Sequence, residues 1–323
     1  MKWLRKFSCI SLLVLSFFFA GLLSKNERFL FSSKLNVHEK LQLIPLKEQE
    51  SLEFFFLYAL SQEGFAFTLF GDKPLSIGCF YEMPSIVVDS TPHSIYETTY
   101  QMFTALHPSA MKLKKGWRVW QKYQHLFPSR RFAIRGFEKC VGDSPGFLII
   151  NKNAFLKAVA QHKDDFERVI QTKISPELIL KQCIEIDNFF EDVLHSNHAL
   201  LGILLGYGKK NAWLFQRRDE LEQMYKFRFS LKITEPSNDL GSIKKELEDI
   251  AQIIRGDESL EFQDLNPLFL VRPGFMADPN DPETKKIREN FKQHYKQIIK
   301  LYKQGNFLEV VLKKYIGSSD VLQ

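Results

Sequence analysis

The most apolar part of the chain after its N-terminus is residues 199–206, Ala-Leu-Leu-Gly-Ile-Leu-Leu-Gly. These residues leave no polar face, which is typical of a buried helix. Gly202 and Gly206 lie four residues apart, so on a helix they would share one side and let a neighbouring element approach closely. The run is too short to cross a bilayer, which takes about 20 residues. We therefore predict a central apolar helix packed by surrounding helices.

Helical spacing of apolar residues predicts helices over much of the remaining chain. The predicted helices span residues 52–60, 94–106, 112–126, 153–170, 177–195, 209–229, 237–255, 284–304 and 307–315. Ser175 and Pro176 are a strong helix start, because serine caps free amides and proline suits the first turn. The helix that follows them leads into the central apolar segment.

Alternation with a period of two predicts strands in the N-terminal half. Residues 65–70 and 75–80 form one predicted pair around a turn, and residues 131–138 and 146–151 form a second pair. A short strand is also predicted over residues 268–271. Together with the helices, these strands predict an α+β fold that is predominantly helical and has small antiparallel β pieces in its N-terminal half.

The N-terminus has the pattern of a secretory signal. Lys2, Arg5 and Lys6 precede a long apolar run. The small residues that signal peptidase requires are missing, and residues 7–23 meet the lower limit of the about 17–25 residues that span a bilayer. We therefore predict a signal peptide or an uncleaved signal anchor over residues 1–24. The alternative is a buried N-terminal helix of a cytosolic protein.

The predicted leader determines the expected layout of the rest of the chain. The positive-inside rule places residues after 24 across the membrane, either anchored there or secreted. Residues 25–50 are mixed and polar, which predicts a tether. Residues 51–323 then form a mainly helical ectodomain, and the length of 323 residues would allow lobes at 51–150 and 151–323.

Composition excludes few function classes. The net charge is +6, of which the three leader cations supply half, so too little remains to argue for nucleic acid, and we expect no nucleic-acid partner. The four cysteines are far apart and contain no Cys-x-x-Cys pair, so the chain is not a disulfide scaffold. Residues 142–146, Gly-Asp-Ser-Pro-Gly, are predicted as the turn of the second strand pair and not as a nucleophile elbow.

Four residues form a candidate metal site. Asp187, Glu191, His195 and His198 would fall within one narrow stripe if the helix continued through all four. Two histidines and two carboxylates are suitable ligands for zinc or iron. The alternative is a solvated polar helix face, since a compact site needs ligands from more than one element and no His-Glu-x-x-His signature is present.

The predicted helix over residues 112–126 combines cations with aromatic residues. Lys114, Arg118 and Lys122 line one side, and Trp117 and Trp120 recur on another. Such a helix suits a membrane surface or a nucleic-acid backbone, and the predicted anchor favours the membrane. The alternative is that the aromatic stripe belongs to the core and the lysines face water.

The segment after the central helix is a third candidate binding site. Gly206 and Gly208 precede two lysines and could cradle an anion, with Asn211 and Arg217 beside them. The segment is not a Walker loop, because a helix precedes it and no hydroxyl follows the lysine. The alternative is that Gly208 only ends or kinks a helix.

Two stretches carry a resemblance to known sequences. Residues 67–75, Phe-Thr-Leu-Phe-Gly-Asp-Lys-Pro-Leu, and residues 198–212, around the central apolar segment, resemble parts of uncharacterised exported proteins from chlamydia-like intracellular bacteria. The resemblance implies a bacterial-envelope or host-facing setting and no known activity. It assigns no functional residue.

These observations predict a non-enzymatic, exported or membrane-anchored protein that binds a membrane surface or another protein. No cofactor is expected under this interpretation. The alternative is an exported metal-dependent hydrolase that uses the four-residue stripe with zinc or iron.

Overall fold

The computed structural model describes residues 35–62, 64–80, 110–138, 145–230, 238–254, 274–302 and 306–317. The helices in these ranges are α1 (Val37–Gln42), α2 (Leu46–Gln62), α3 (Phe65–Leu69), α4 (110–123), α5 (Lys152–Gln161), α6 (Lys163–Ile170), α7 (Pro176–Glu185), α8 (His198–Leu204), α9 (Lys209–Ser230), α10 (Asn238–Ile253), α11 (Pro282–Tyr302) and α12 (Phe307–Ile316). The strands are β1 (Leu75–Cys79), β2 (Phe132–Phe137) and β3 (Gly146–Asn151). The predicted α+β, predominantly helical class is confirmed.

Side-chain caps determine where several helices begin. Asn36, Asn151, Ser175, Asn197 and Asn306 each accept a hydrogen bond from a backbone amide in the first turn of the helix that follows. Such a cap contributes about 0.5–2 kcal/mol to the stability of the protein, because the first backbone amides of a helix have no hydrogen-bond partner within the helix. The predicted start of α7 at Ser175 is confirmed.

The three strands form one antiparallel sheet in the order β1-β3-β2. Every residue of the central strand β3 is buried, so both faces of the sheet are covered. Phe147 and Ile149 project into one hydrophobic core, and Leu148 and Ile150 project into a second core on the other face. Alternation along one strand therefore places the sheet between two helical layers.

The first core is rich in aromatic side chains and is covered by α1–α4, α11 and α12. Trp117 stacks on Phe147 with a centroid distance of 5.7 Å and an interplanar angle of 24°. Trp120 is fully buried and meets Tyr315 of α12 edge to face at 5.4 Å. These contacts join the N-terminal helices, the sheet and the C-terminal helix in one cluster.

The second core is formed by α5–α9 against the opposite face of the sheet. The central apolar helix is α8, and its residues from Ala199 to Leu204 are all buried. A Cβ atom on Gly202 would lie 2.9 Å from the Cβ of Ala212, so glycine permits the close packing of α8 against α9. The prediction of a buried central helix is confirmed.

A small third cluster holds α10 against α9. Leu221, Ile243 and Ile250 are its buried residues, with Ile254 at the end of α10. Arg217 of α9 donates two hydrogen bonds to the carboxylate of Glu246 on α10, at 2.7 and 2.9 Å.

Several predicted elements are wrong. Residues 65–69 form helix α3 rather than a strand, because all five are buried and the apparent alternation reflects no solvent-facing side. The predicted helix over 153–170 is broken at His162 into α5 and α6. Part of the predicted tether over 25–50 is folded, since residues 37–42 form α1 and α2 begins at Leu46.

The helix predicted over 177–195 ends at Glu185. Ile186 is extended, and the guanidinium of Arg135 on β2 donates to the carbonyls of Ile184 and Ile186, at 2.6 and 2.9 Å. A turn of π-helix, Phe189–Val193, follows before α8 begins.

Other predicted elements lie outside the described residues. These are the leader over 1–24, the helix over 94–106 and the strand over 268–271. In the part of the chain that the structure describes, no helix combines the length and hydropathy needed to cross a bilayer.

Two glycine-to-alanine variants test the packing of α4 against α2. A Cβ on Gly116 would overlap the Ser51 carbonyl oxygen and lie 2.7 Å from the Cβ of Phe55, whereas a Cβ on Gly241 in α10 would meet nothing within 4 Å. We expect Gly116→Ala to lower the free energy of unfolding by about 3 kcal/mol through overpacking. Gly241→Ala should raise it by up to about 1 kcal/mol, because alanine favours the helix. Urea denaturation measures both, and equal stabilities would contradict the close approach of α4 and α2.

Candidate functional site

The turn between α8 and α9 is the centre of the candidate site. Gly206 and Gly208 have φ angles of 76° and 85°, a left-handed conformation that favours glycine. Gly206 packs on Pro74, where a Cβ would lie 3.3 Å from the proline Cδ. Gly208 lies under the Glu283 carboxyl group of α11, where a Cβ would lie 2.9 Å from its Cδ. The turn is therefore held between the entry to β1 and the start of α11.

Tyr207, between the two glycines, is half-buried. Its ring stacks on Phe275 with a centroid distance of 4.9 Å and an interplanar angle of 7°. The ammonium group of Lys73 lies 5.7 Å from the Tyr207 ring centroid. Burial raises the pKa of Tyr207 to about 12. Among the described residues, none hydrogen-bonds to the Tyr207 hydroxyl, so this group can still donate to a ligand.

A pocket of about 330 Å³ lies between α8, α9 and residues 274–276. Its walls are mostly apolar and aromatic: Leu201, Leu205, Tyr207, Ala212, Phe215, Phe275 and Met276. The volume and the apolar lining of this pocket are typical of a small-molecule site, in which a few polar groups orient an apolar ligand. The structure therefore offers a preformed apolar pocket that is lined in part by the Tyr207 side chain.

Asn211 fixes one wall of the pocket. Its side-chain amide donates to the Tyr207 carbonyl at 2.9 Å and to the Thr284 hydroxyl at 2.8 Å. Its side-chain oxygen accepts a hydrogen bond from the backbone amide of Asp278 at 3.0 Å. Because both N–H donors and the oxygen of this amide are bonded within the protein, Asn211 holds the turn, α11 and the segment before α11 together.

His198 is the one histidine that lines the described pocket wall. Its Nε2 lies 3.7 Å from a carboxylate oxygen of Asp219, and its ring packs against Phe190 and Phe215. Its backbone amide donates to the side chain of Gln216 at 2.6 Å. The imidazole is thus oriented from α9 and can present a polar group at the edge of the pocket.

A smaller, more polar cavity of about 200 Å³ lies on the other side of the same turn. Asp72, Lys73, Gln161, His162, Glu283 and Asn290 contribute its polar lining. Burial lowers the pKa of His162, which favours the neutral ring. The buried carboxylate of Asp165 lies beside this cavity's wall and pairs with Lys209 at 2.7 Å. The charges of Asp165 and Lys209 are therefore matched within the protein.

A serine and a lysine meet below the turn. Lys73 and Thr68 each lie within hydrogen-bond distance of the Ser76 hydroxyl, at 3.0 and 2.8 Å, and Ser76 donates to the Gly64 carbonyl at 3.1 Å. Ser76 has no exposed surface. This network therefore ties β1 to α3 and offers no nucleophile to a substrate from solvent.

The four predicted metal ligands do not converge. Asp187 lies beside Arg135 at 3.4 Å, and Glu191 is in the π-helical turn. His195 has a positive φ of 52°, and only His198 lines the pocket. Within the described ranges no group of three or more His, Cys, Asp or Glu side chains could hold a metal. The predicted single stripe is wrong because α7 ends before the first of the four residues.

The predicted aromatic binding face is part of the core. Trp117 and Trp120 are 8% and 0% exposed, so they cannot lie on a membrane surface. Lys122 pairs with Glu48 at 2.9 Å. Lys114 and Arg118 line an open groove of about 450 Å³, together with Trp117 and two acidic residues, Glu138 and Asp187. Trp117 and Trp120 therefore belong to the hydrophobic core, which was the alternative interpretation of this helix.

The structure brings together only some of the residues of the predicted anion-binding site after the central helix. Gly206, Gly208 and Asn211 all belong to the turn and its pocket. Arg217 lies away from the turn, paired with Glu246 of α10; hydrogen bonding raises the pKa of Arg217 and lowers that of Glu246. The anion cradle stays a prediction that this geometry does not favour, because the Glu283 carboxyl group lies above Gly208.

The residues that sequence reasoning missed are Tyr207, Phe215, Phe275 and Met276. Tyr207 carried a signal, since a tyrosine between two glycines after an apolar helix is held in an unusual turn. Phe275 and Met276 carried none, because their contact with Tyr207 depends on long-range packing.

No known protein-family profile matches this chain, and no curated protein or solved structure is significantly similar to it. The resemblance to exported proteins of chlamydia-like bacteria stays a prediction. The functional argument therefore depends on the geometry of the site alone.

Replacing the phenol tests the environment of Tyr207. Its pKa is about 12 in the folded chain against an ordinary 10.0. Between these values the folded state keeps a proton that the unfolded state has released, so stability present below pH 10 is lost as the pH rises towards 12. Tyr207→Phe removes this loss. Urea denaturation at neutral pH and at pH 12 gives the free energy of unfolding of the variant and of the native chain. We expect the difference, variant minus native, to be about 2 kcal/mol larger at pH 12 than at neutral pH. An unchanged difference would contradict the raised pKa of Tyr207.

Proposed function

We propose that the protein is a binding protein, and that the pocket between α8 and α9 takes an apolar ligand with one hydrogen-bond acceptor. The observation that carries the proposal is the apolar pocket of about 330 Å³, which is lined in part by Tyr207, a residue whose hydroxyl has no hydrogen-bond partner among the described residues. The Tyr207 hydroxyl is not one of the fully buried side-chain atoms that lack a partner, so a ligand acceptor would replace water as its hydrogen-bond partner.

The pocket walls support an apolar ligand rather than a charged one. Phe215, Phe275 and Met276 present aromatic and thioether surface, and the pocket's polar side chains besides Tyr207 are His198 and Asn211. The Asn211 amide is already bonded within the protein. A ligand with a planar apolar body would pack against the aromatic rings and place a carbonyl or ether oxygen near the phenol.

The cellular setting of this binding protein is part of the proposal. We infer an exported or membrane-anchored protein from the cation-led apolar pattern of residues 1–24. The metal-dependent hydrolase is not favoured, because the structure does not bring its proposed ligand set together.

Binding of the fluorescent ketone Prodan tests the pocket, because Prodan has a flat apolar body and a carbonyl acceptor. We expect saturable binding with a blue-shifted emission in the native chain. Tyr207→Phe should weaken it about fivefold, the equivalent of one neutral hydrogen bond. Leu205→Trp should abolish it by filling the pocket.

Phe227→Ser is the control, since it removes a side chain that is 65% exposed and lies outside the pocket. It should leave Prodan binding unchanged, and circular dichroism should show that all variants are folded. The proposal is wrong if Leu205→Trp binds Prodan as the native chain does, or if only Phe227→Ser reduces binding.

A further inference from the structure

The outward face of α11 carries a row of lysines. Lys285, Lys292, Lys296 and Lys300 are all exposed. At about 100° per residue they fall within about 80° around the helix, and at a rise of about 1.5 Å per residue they extend along about 22 Å. They therefore form a straight line of positive charge, which we call the lysine row.

The lysine row lacks the ion pairs that accompany several, though not all, of the other lysines of this protein. Lys122, Lys163, Lys244 and Lys313 each lie within 4.0 Å of a glutamate oxygen. By contrast, no described acidic side chain comes within that distance of any member of the lysine row. Glu289 is the acidic residue on this face, and its carboxylate accepts a hydrogen bond from Gln293.

The arrangement costs helix stability. Lys292, Lys296 and Lys300 are spaced four residues apart, and like charges at this spacing destabilise a helix by about 0.2–0.5 kcal/mol a pair. The opposite face of α11 is fixed in the first core by Phe291 and Ile298, so the row cannot turn away from solvent. Unpaired charge held on a rigid element is suited to an external anionic partner.

We propose that the lysine row docks α11 onto an anionic lipid surface. Lysine ammonium groups act as point charges, which suits lipid phosphates spread over a plane, and each contributes a comparable increment of attraction. Among the described side chains of α11, residues 282–301, none is an exposed large hydrophobic, so docking would be electrostatic and without insertion. Single-stranded nucleic acid is less suited, because the row has no aromatic residue on which bases could stack.

The proposal is tested by the partition of the full chain between buffer and vesicles. Two vesicle types are compared, phosphatidylcholine alone and an equimolar mixture with phosphatidylglycerol. The ratio of the two partition coefficients cancels any contribution of the apolar N-terminal segment. We expect a large ratio for the native chain that falls steeply as salt is added, because salt screens exposed charges.

Charge-matched variants localise the effect. Lys292→Gln with Lys296→Gln and Lys300→Gln should lower the ratio about a hundredfold. The control combines Lys47→Gln, Lys226→Gln and Lys244→Gln, which removes three exposed lysines from other helices and gives the same net charge. The control should change the ratio by less than about threefold.

Three results would overturn the proposal. The first is an equal fall in both triple variants, which would mean that only net charge matters. The second is a ratio near one in the native chain. The third is binding to duplex DNA that depends on the same three lysines while anionic vesicles do not bind, which would make nucleic acid the partner.

Discussion

The fold depends on the burial of β3 from both sides. A three-stranded sheet is stable only when its faces are covered, and β3 supplies alternate side chains to two separate cores. Its backbone is paired with β1 on one side and β2 on the other. Because all six positions are buried, a polar substitution anywhere along β3 would disturb one of the two helical layers.

The same strand positions the candidate site. The Asn151 amide at the end of β3 donates to the Pro74 carbonyl at 2.9 Å, and Pro74 is the residue against which Gly206 packs. From the other side, Asn211 joins the turn to Thr284 of α11. The pocket is therefore built on elements that are themselves fixed by the cores, which favours a preformed site over one that closes around its ligand. The lysine row lies on the same helix α11, with its apolar face in the first core.

The sequence predicted those features whose signal is local. The second strand pair and the buried α8 were found from periodicity, and the start of α7 was found from Ser175. Features that depend on tertiary contacts were missed. Helix α3 is buried on all sides, so its sequence pattern resembles that of a strand. Helix α7 ends where the Arg135 guanidinium donates to the Ile184 carbonyl. Glycines marked the site, but its ligand-facing residues did not stand out, since Phe275 reaches Tyr207 only in the folded chain.

Hydrogen exchange of the full chain, read amide by amide, tests most directly whether β3 holds both cores together. The account predicts that amides of residues 147–150, α3 and α8 exchange only through one global opening, with the same free energy and the same dependence on denaturant. The contradicting result is exchange of α8 and α9 at a much lower free energy while residues 147–150 stay protected. In that case the pocket region would open independently of the sheet.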